Sequence, residues 1–190
     1  MHRRTSWLYS SLRLGSAWWL LGAATAHATP TEPTRTWYVQ TGVAEHSAYA
    51  GTLGLTQTWS HPGWRLGSGQ LQGHWDAFAS GWSGRPSGDS RRWTAVLGIG
   101  PSLRWRAGQG HAPWFVELGT AASYSSRHWH HETRRLSTRW NFASHAGVGW
   151  NWGPQRQHEV SVRLQHSSNA GIKHPNPGAD FVLLRYARRS

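Results

Sequence analysis

Sulfur and negative charge are both scarce in this chain of 190 residues. It contains no cysteine, and its single methionine is Met1. The absence of cysteine excludes disulfide bonds, thiolate catalysis and cysteine-ligated metal sites. Only 8 Asp and Glu stand against 20 Lys and Arg, so the formal net charge is +12 with the histidines neutral. A surface this basic suits nucleic acid, anionic lipid or the phosphates of lipopolysaccharide.

Long apolar runs are also missing after the N-terminal segment. Within that segment a stretch with three arginines is followed by an apolar run over 14–24 and by the small residues Ala26 and Ala28. This order predicts a cleaved secretory signal in residues 1–28 and a single domain over residues 29–190. An N-terminal membrane anchor is the alternative, but the run is shorter than the roughly 20 residues that span a bilayer as a helix. Export from the cytoplasm argues against nucleic acid as a partner.

Tryptophan, in contrast, is abundant. The chain has 15, of which Trp7, Trp18 and Trp19 lie in the predicted signal, and tryptophan is enriched at membrane interfaces. Mean hydropathy is only −0.62, but transmembrane β-strands alternate lipid-facing and lumen-facing residues, so an average conceals them. The composition therefore favours a membrane β-barrel.

Eight segments have strand-forming residues or alternation, and they are separated by stretches rich in Gly, Pro, Ser or charge. Three connectors are short and three are longer and more polar, which is the pattern of periplasmic turns and outer loops in outer-membrane barrels. The chain is therefore predicted to be all-β, forming an eight-stranded antiparallel transmembrane β-barrel of the outer membrane. The predicted strands lie near 36–44, 50–60, 66–80, 92–106, 114–125, 139–152, 158–168 and 180–187, and the longer loops at 81–91, 126–138 and 169–179.

The segment HSSNAGIKHPNPGAD, from His166 to Asp180, places a base, a hydroxyl and an acid close together. In a strand ending at Ser168, side chains alternate faces, so His166 and Ser168 share one face about 7 Å apart, whereas Ser167 has the wrong parity. Such residues support acyl transfer, in which His takes the serine proton and an acid holds the imidazole in the right tautomer. Glu159 lies on the opposite face of the same strand, and the parity of Glu117 places it toward the lumen in a buried polar pair. Asp180 is therefore the remaining candidate for the acid.

Strand parity also predicts where this site lies. The face that carries His166 is otherwise aliphatic, and the other face is polar, so the aliphatic face should meet lipid and the polar face the lumen. With the N-terminus in the periplasm, the seventh strand runs outward, and the site lies on the outside of the barrel near the outer leaflet. A soluble β-sandwich or lipocalin-like barrel is the alternative fold, and it would bury the aliphatic face in a core. The aliphatic residues are Val160, Val162 and Leu164, and the polar ones are Glu159, Ser161, Arg163 and Gln165.

This segment resembles the active-site signature of the lipid A 3-O-deacylases, the PagL family. The resemblance rests on His166-x-Ser168-Asn169-Ala170-Gly171, then Pro175-Asn176-x-Gly178 and an acid two residues on. The segments PSLRWR at 101–106, PWFVELGTAAS at 113–123 and LSTRWNFASHAGVGW at 136–150 are also similar. The family usually has Glu where this chain has Asp180, whose side chain is one methylene shorter.

The resemblance implies an outer-membrane enzyme of a Gram-negative bacterium that hydrolyses the ester-linked 3-hydroxyacyl chain at position 3 of lipid A. Ser168 is then the nucleophile, His166 the general base and acid, and Asp180 the residue that orients His166. No cofactor and no metal is required. The implied partners are lipid A or lipopolysaccharide and outer-membrane lipids, and the oligomeric state, monomer or homodimer, stays open.

Two further sets of residues are candidates for binding the substrate. The chain turns immediately after Ser168, so backbone N–H groups there and an Asn side chain can stabilise an oxyanion; the candidates are Asn169, Gly171 and Asn176. Cations in the predicted outer loops can bind lipid A phosphates, because guanidinium groups offer two donors to a phosphate; the candidates are Arg134, Arg135 and Lys173. The plainer interpretations are a Pro-Gly turn and a solvated charged surface.

Other functions stay open at this level. The same barrel could hydrolyse a phospholipid or another outer-leaflet ester, or it could be a structural or adhesion barrel with long loops. A soluble basic binding protein would have the alternative fold described above. The histidines of HWHH at 128–131 could bind a transition metal in isolation, although a loop segment does not specify ligand geometry.

Overall fold

The computed structural model describes residues 32–190. The predicted signal in residues 1–28 lies outside the described residues, so it stays a prediction. Within the described range, no helix is long and apolar enough to cross a membrane. The strands are β1 (Arg35–Ala44), β2 (Ala48–Thr58), β3 (Trp64–Leu66), β4 (Gly69–Gly84), β5 (Arg92–Arg106), β6 (Trp114–Ser125), β7 (His130–His131), β8 (Arg134–Arg135), β9 (Trp140–Trp152), β10 (His158–Ser168) and β11 (Ala179–Arg189), with 3-10 turns at Glu45–Ser47 and Gly108–Gly110.

The eight long strands close into one antiparallel barrel. Neighbours pair in the order β1–β2–β4–β5–β6–β9–β10–β11, and β11 pairs with β1 to complete the ring. Closure satisfies the backbone N–H and C=O groups of the strands without leaving an edge, which a bilayer requires because it offers no water to replace the missing hydrogen bonds. The predicted eight-stranded barrel is confirmed.

The predicted strand bounds hold best where the connectors are short. The predictions for β5, β6 and β10 coincide with the observed strands, whereas the strand predicted over 66–80 is observed at Gly69–Gly84. The difference arises because Gly67 has a φ of +61°, a left-handed conformation that ends an extended segment. Residues 64–66 therefore fold back as β3 and pair with the start of β4.

Side chains along the strands alternate between the outer surface and the lumen, as a membrane barrel requires. In β10, Val160, Val162 and Leu164 are exposed, whereas Ser161 and Arg163 are buried in the lumen. The apolar face therefore points outward, and the alternative of a soluble sandwich or lipocalin-like barrel is wrong. Exposed tryptophans lie near both ends of the wall, as in the aromatic girdles of outer-membrane barrels; they are Trp37, Trp64, Trp75, Trp93, Trp114, Trp140, Trp150 and Trp152.

A buried ion-pair network fills one half of the lumen. Arg104 donates to Glu117 at 2.7 Å and to Glu159 at 2.6 Å. Arg163 bridges Glu117 and Asp76, with its Nη1 3.1 Å from an Asp76 oxygen. These charged groups lie away from water, so each depends on its partners to offset the loss of hydration.

Two more residues extend this network. Tyr38 donates its hydroxyl to Asp76 at 2.7 Å, and the guanidinium of Arg185 lies 3.7 Å from the centre of the Tyr38 ring. Arg185 is fully buried, with its Nη1 3.5 Å from an Asp76 oxygen. Three arginines thus face three carboxylates across the lumen, and the half of the barrel that holds them is a packed interior.

The other half of the lumen is apolar. We call the end of the barrel with the 169–178 connection the outer end, after the orientation predicted from the sequence. There the 126–139 connection folds inward and buries Trp129 and Leu136 against Phe181 and Leu183 of β11. Phe181 and Leu183 lie on the lumen side of β11 and pack in this apolar plug. The plug gives the outer connections a packed base and so positions the residues around β10 and β11.

Replacing Glu117 with Gln should destabilise the barrel by about 3–5 kcal/mol, because it leaves Arg104 and Arg163 short of a buried carboxylate. Urea unfolding in lipid vesicles, followed by tryptophan fluorescence, measures the free energy of unfolding. The matched control is Glu45→Gln, which removes an exposed carboxylate paired with Arg134 and should cost at most about 1 kcal/mol. Equal stability of the two variants would contradict the structural role of the network.

Candidate functional site

His166 and Asp180 are brought face to face by the register of β10 and β11. The two residues are directly opposite partners in the antiparallel ladder, an arrangement that puts Cβ atoms about 4.5–5.5 Å apart. The Nδ1 atom of His166 lies 2.7 Å from Oδ1 of Asp180. A carboxylate can only accept, so Nδ1 carries the proton and Nε2 is left as the basic nitrogen. The shorter side chain of Asp180 therefore reaches the imidazole without a glutamate.

Both side chains lie on the apolar face of the wall. They are 54% and 61% exposed, and they share this face with Leu164 of β10 and Val182 of β11. The His166–Asp180 pair is thus on the outer surface of the barrel wall and not in the lumen.

Ser168 ends β10 and has the same parity as His166. It is half-buried and pairs with Phe142 of β9. Ser167 is fully buried, and its Oγ accepts a hydrogen bond from Gln165 in the lumen. Within residues 32–190, no hydrogen bond joins the Ser168 hydroxyl to His166.

Gly178, which belongs to the family motif and to a Pro-Gly turn, supports the imidazole. Gly178 has a φ of +70°, and a Cβ added to it would lie 2.5 Å from Cε1 of His166. The ring therefore packs directly on the Gly178 backbone while Asp180 holds Nδ1. Only glycine combines this backbone conformation with the space that the ring needs. The sequence signal was the Pro-Gly pair at 177–178, but the contact to His166 is not readable from it.

The connection after Ser168 is folded around the side chain of Asn169. The Asn169 amide group donates to the Lys173 carbonyl at 2.7 Å and to the Ser137 hydroxyl at 3.1 Å, and its oxygen accepts the N–H of Gly171 at 3.0 Å. The backbone N–H of Asn169 donates to Oδ1 of Asn176 at 3.1 Å. These bonds hold the turn in one shape directly beside the serine.

Those bonds also decide which donors remain available. The N–H groups of Asn169 and Gly171 already have acceptors, so two of the three predicted oxyanion residues use their backbone donors internally. The Oδ1 of Asn176 is fixed by the Asn169 N–H, which defines the orientation of its Nδ2 group. Among the described residues, the N–H of Ala170 and the Nδ2 of Asn176 have no protein acceptor.

The three predicted phosphate ligands occupy different surroundings. Arg134 lies 3.2 Å from the exposed carboxylate of Glu45, and both residues line a small cavity that Asp180 also lines. Lys173 is exposed on the 169–178 connection. Arg135 points into a separate pocket on another part of the rim. The structure therefore brings Arg134 near the His166–Asp180 pair and does not bring Arg135 there.

An apolar groove runs along the wall beside the pair. Its residues are cross-strand neighbours at one level of four adjacent strands. Two small residues of β9 next to His166 and Leu164 leave the wall shallow there, so the groove leads from the pair along the lipid-facing surface. The groove is lined by Val43, Ser144, Ala146, Leu164, His166, Asp180 and Val182, among others.

The three histidines of HWHH do not share one site, because His128 and His130 line a pocket at the rim whereas His131 lines another cavity. Trp129 and His131 are buried, and Nδ1 of His131 accepts the Arg85 N–H at 3.0 Å. His128 bonds the Leu136 carbonyl through Nδ1 at 2.9 Å. In the part of the chain that the structure describes, no group of three or more His, Cys, Asp or Glu is arranged to hold a metal ion.

The family model and the sequence relatives that match this chain all point to one family. Residues 48–189 match the family model for lipid A 3-O-deacylase (PagL). The lipid A deacylase PagL of Pseudomonas aeruginosa is 31% identical over 148 residues, or 76% of this chain and 80% of that protein. The lipid A deacylase PagL of Bordetella bronchiseptica is 30% identical over 178 residues, or 87% and 88%.

A solved structure agrees with these sequence relatives. The crystal structure of the outer membrane enzyme PagL matches with a TM-score of 0.68 and 26% identity, covering 80% of this chain and 98% of that chain. The residues matched by the family model include His166, Ser168 and Asp180. The chain therefore belongs to the lipid A 3-O-deacylase (PagL) family of outer-membrane β-barrels.

Proposed function

We propose that this protein removes the ester-linked 3-hydroxyacyl chain from position 3 of lipid A, using Ser168, His166 and Asp180 as a catalytic triad. The observation that carries the proposal is the 2.7 Å contact between His166 Nδ1 and Asp180 Oδ1 on the lipid-facing side of the wall. It supports a basic Nε2 in a chain whose relatives are named lipid A deacylases. No cofactor takes part in this chemistry.

The reaction follows from the roles of the three residues. Nε2 of His166 takes the proton of Ser168 as the serine oxygen attacks the ester carbonyl, and Asp180 stabilises the imidazolium. The tetrahedral intermediate then expels the sugar oxygen, which receives the proton from His166 and leaves an acyl-enzyme. Water, deprotonated by the same imidazole, releases the 3-hydroxy fatty acid and regenerates Ser168.

Attack requires the Ser168 oxygen within about 3 Å of Nε2. Ser168 shares a face with His166, and its hydroxyl can turn between staggered rotamers about the Cα–Cβ bond. We therefore expect the productive rotamer to form when the substrate carbonyl lies beside the serine.

The developing oxyanion needs fixed donors. The best supported are Nδ2 of Asn176, oriented through its bond to Asn169, and the N–H of Ala170 beside the serine. In this assignment Asn169 and Gly171 shape the turn through their own hydrogen bonds. Asn169 and Gly171, first considered as donors, thus act as positioning residues.

The substrate would approach from the outer leaflet. The apolar groove beside His166 suits an acyl chain that stays at the lipid surface, since its walls are Leu164, Val182 and Val43. Arg134 and Lys173 lie on the same side of the rim and suit the lipid A phosphates. This placement also rests on export to the outer membrane of a Gram-negative bacterium with a cleaved signal in residues 1–28.

Ser168→Ala should lower the rate of lipid A deacylation by on the order of 10⁴-fold or more, because it removes the nucleophile of a unit that acts together. Mass spectrometry of lipid A from cells that make each variant, and fatty acid release from purified lipid A, measure the effect. The matched control is Ser167→Ala, the neighbouring lumen-facing serine, which should keep its activity. Full activity of Ser168→Ala would refute the triad, and faster release from phospholipid vesicles than from lipid A would refute the substrate.

Two conservative substitutions of Asp180, one to Asn and one to Glu, test its role as the acid of the triad. Asp180→Asn should reduce kcat by on the order of 10⁴-fold, because an amide no longer selects the tautomer with a basic Nε2. Asp180→Glu should stay within about tenfold of the wild type, because a carboxylate again faces Nδ1 across the strands. Asp89→Asn, at an exposed rim carboxylate, controls for loss of charge. An active Asp180→Asn enzyme would remove Asp180 from the mechanism.

Gly178→Ala should lower kcat by about 100-fold, because the added methyl group displaces the His166 ring and a small misplacement of a catalytic group has effects of this size. Gly88→Ala is the matched control. Gly88 has a similar φ of +75° but has nothing within 4 Å of an added Cβ, so it tests backbone strain without the contact. Kinetics of purified protein in detergent separate the two, and equal activities would show that the Gly178 contact is unimportant.

A further inference from the structure

A second feature of the outer end has no role in the proposed hydrolysis. Five basic side chains line one pocket of about 380 Å³, between β5 and the 126–139 connection; they are Arg92, Arg127, His128, His130 and Arg135. We call this the rim pocket. It lies three strands around the barrel from β10, and none of its residues lines the groove beside His166 or the cavity beside Asp180.

The walls of the rim pocket are held in place by two neighbouring connections. The N–H of Glu132 donates to the Arg85 carbonyl at 2.8 Å, and the N–H of Ser87 donates to the Glu132 carbonyl at 3.3 Å. Below them, Trp129 is buried and donates its ring N–H to the Ser83 carbonyl at 3.1 Å. A ligand that enters this pocket therefore does not have to order the backbone around it.

The positive charge in the pocket is only partly balanced. Arg92 pairs with the exposed Asp89 at 2.6 Å. Within residues 32–190, neither Arg127 nor Arg135 has a carboxylate within ion-pair distance. Protein cations that converge in this way repel one another unless an anion joins them, because like charges at close range are unfavourable. The pocket thus favours an anionic ligand.

The side chains also indicate which anion fits best. Planar guanidinium groups bind phosphate oxygens with two parallel donors. A phosphate monoester has three acceptor oxygens and a charge of about −1.5 to −2 at neutral pH, so it can engage more than one arginine. Trp93, which lies between the pocket residues Arg92 and Thr94 in β5, is exposed on the wall, and exposed tryptophans near the end of a barrel wall mark the level of lipid headgroups.

We propose that the rim pocket binds a phosphate monoester group, and that Arg127 and Arg135 are its main ligands. The group belongs either to a lipopolysaccharide molecule in the surrounding leaflet or to a soluble phosphate compound. The site is separate from the triad, so it holds whether or not Ser168 is the nucleophile. Arg135, first considered as a ligand of the substrate phosphate, is assigned to this second site.

The first experiment measures binding of soluble probes to the purified, folded barrel in detergent. Glucosamine 1-phosphate and inorganic phosphate are titrated by calorimetry against the wild type and Arg127→Gln/Arg135→Gln. The double variant should bind glucosamine 1-phosphate at least tenfold more weakly, since two charged hydrogen-bonding groups are lost. The matched control, Arg65→Gln/Arg188→Gln, removes the same charge at the opposite end of the barrel and should bind as the wild type does.

The second experiment separates the two sources of phosphate. Barrels that also carry Ser168→Ala are reconstituted in vesicles with phosphorylated or enzymatically dephosphorylated lipid A, and the lipid A that remains bound after detergent extraction is counted by mass spectrometry. Retention that requires both the lipid phosphate and the two arginines supports a lipopolysaccharide ligand. Arginine-dependent binding of the soluble probe alone supports a soluble ligand.

The proposal is overturned if the double variant matches the wild type with the soluble probes and with lipid A. It is also overturned if the wild type binds neither probe at millimolar concentration and retains no phosphorylated lipid A. The gel shift of heated against unheated samples reports whether each variant is folded. The single variants Arg127→Gln and Arg135→Gln provide the same test if the double variant does not fold.

Discussion

Closure of the antiparallel ladder is the constraint on which the rest of this structure depends. A bilayer cannot hydrogen-bond a strand edge, so β1 must meet β11 and every strand between them must keep a fixed register. Side chains on each strand then alternate strictly between lipid and lumen. This alternation keeps the ion-pair network inside and turns the aliphatic residues outward. It also puts His166 and Asp180 on the outer face of the wall.

The lumen is divided into two parts with different physical roles. Arginines and carboxylates pair in one half, where each charge depends on its neighbours in the absence of water. In the outer half, Trp129 and Leu136 from the longest connection pack against β11. That apolar plug gives the outer connections a packed base. The rim pocket is built partly on one of these connections, and the proposed triad lies at the outer ends of β10 and β11, beside the plug.

The proposed site is made mainly by backbone geometry. The ladder places Asp180 opposite His166, Gly178 supplies the flat surface on which the imidazole rests, and Asn169 organises the turn beside Ser168. Each residue acts on a different part of the site. Asp180 binds Nδ1 of the histidine, Gly178 contacts the imidazole ring, and Asn169 fixes the backbone next to the serine. In the proposed site these groups are all held on the barrel wall, outside the lumen.

The sequence by itself determined the fold class, most strand positions and the face of β10 on which His166 lies, because alternation with a period of two is a local property. The same property distinguished Ser168 from Ser167, and the motif resemblance indicated the chemistry. Only the tertiary structure decided the rest: that Asp180 reaches His166, that Gly178 supports the ring, and that the N–H groups of Asn169 and Gly171 are already used. The tertiary structure also places Arg134 in the cavity beside Asp180 and Arg135 in the rim pocket. These facts depend on strand register and loop packing, which arise from contacts between residues far apart in the chain.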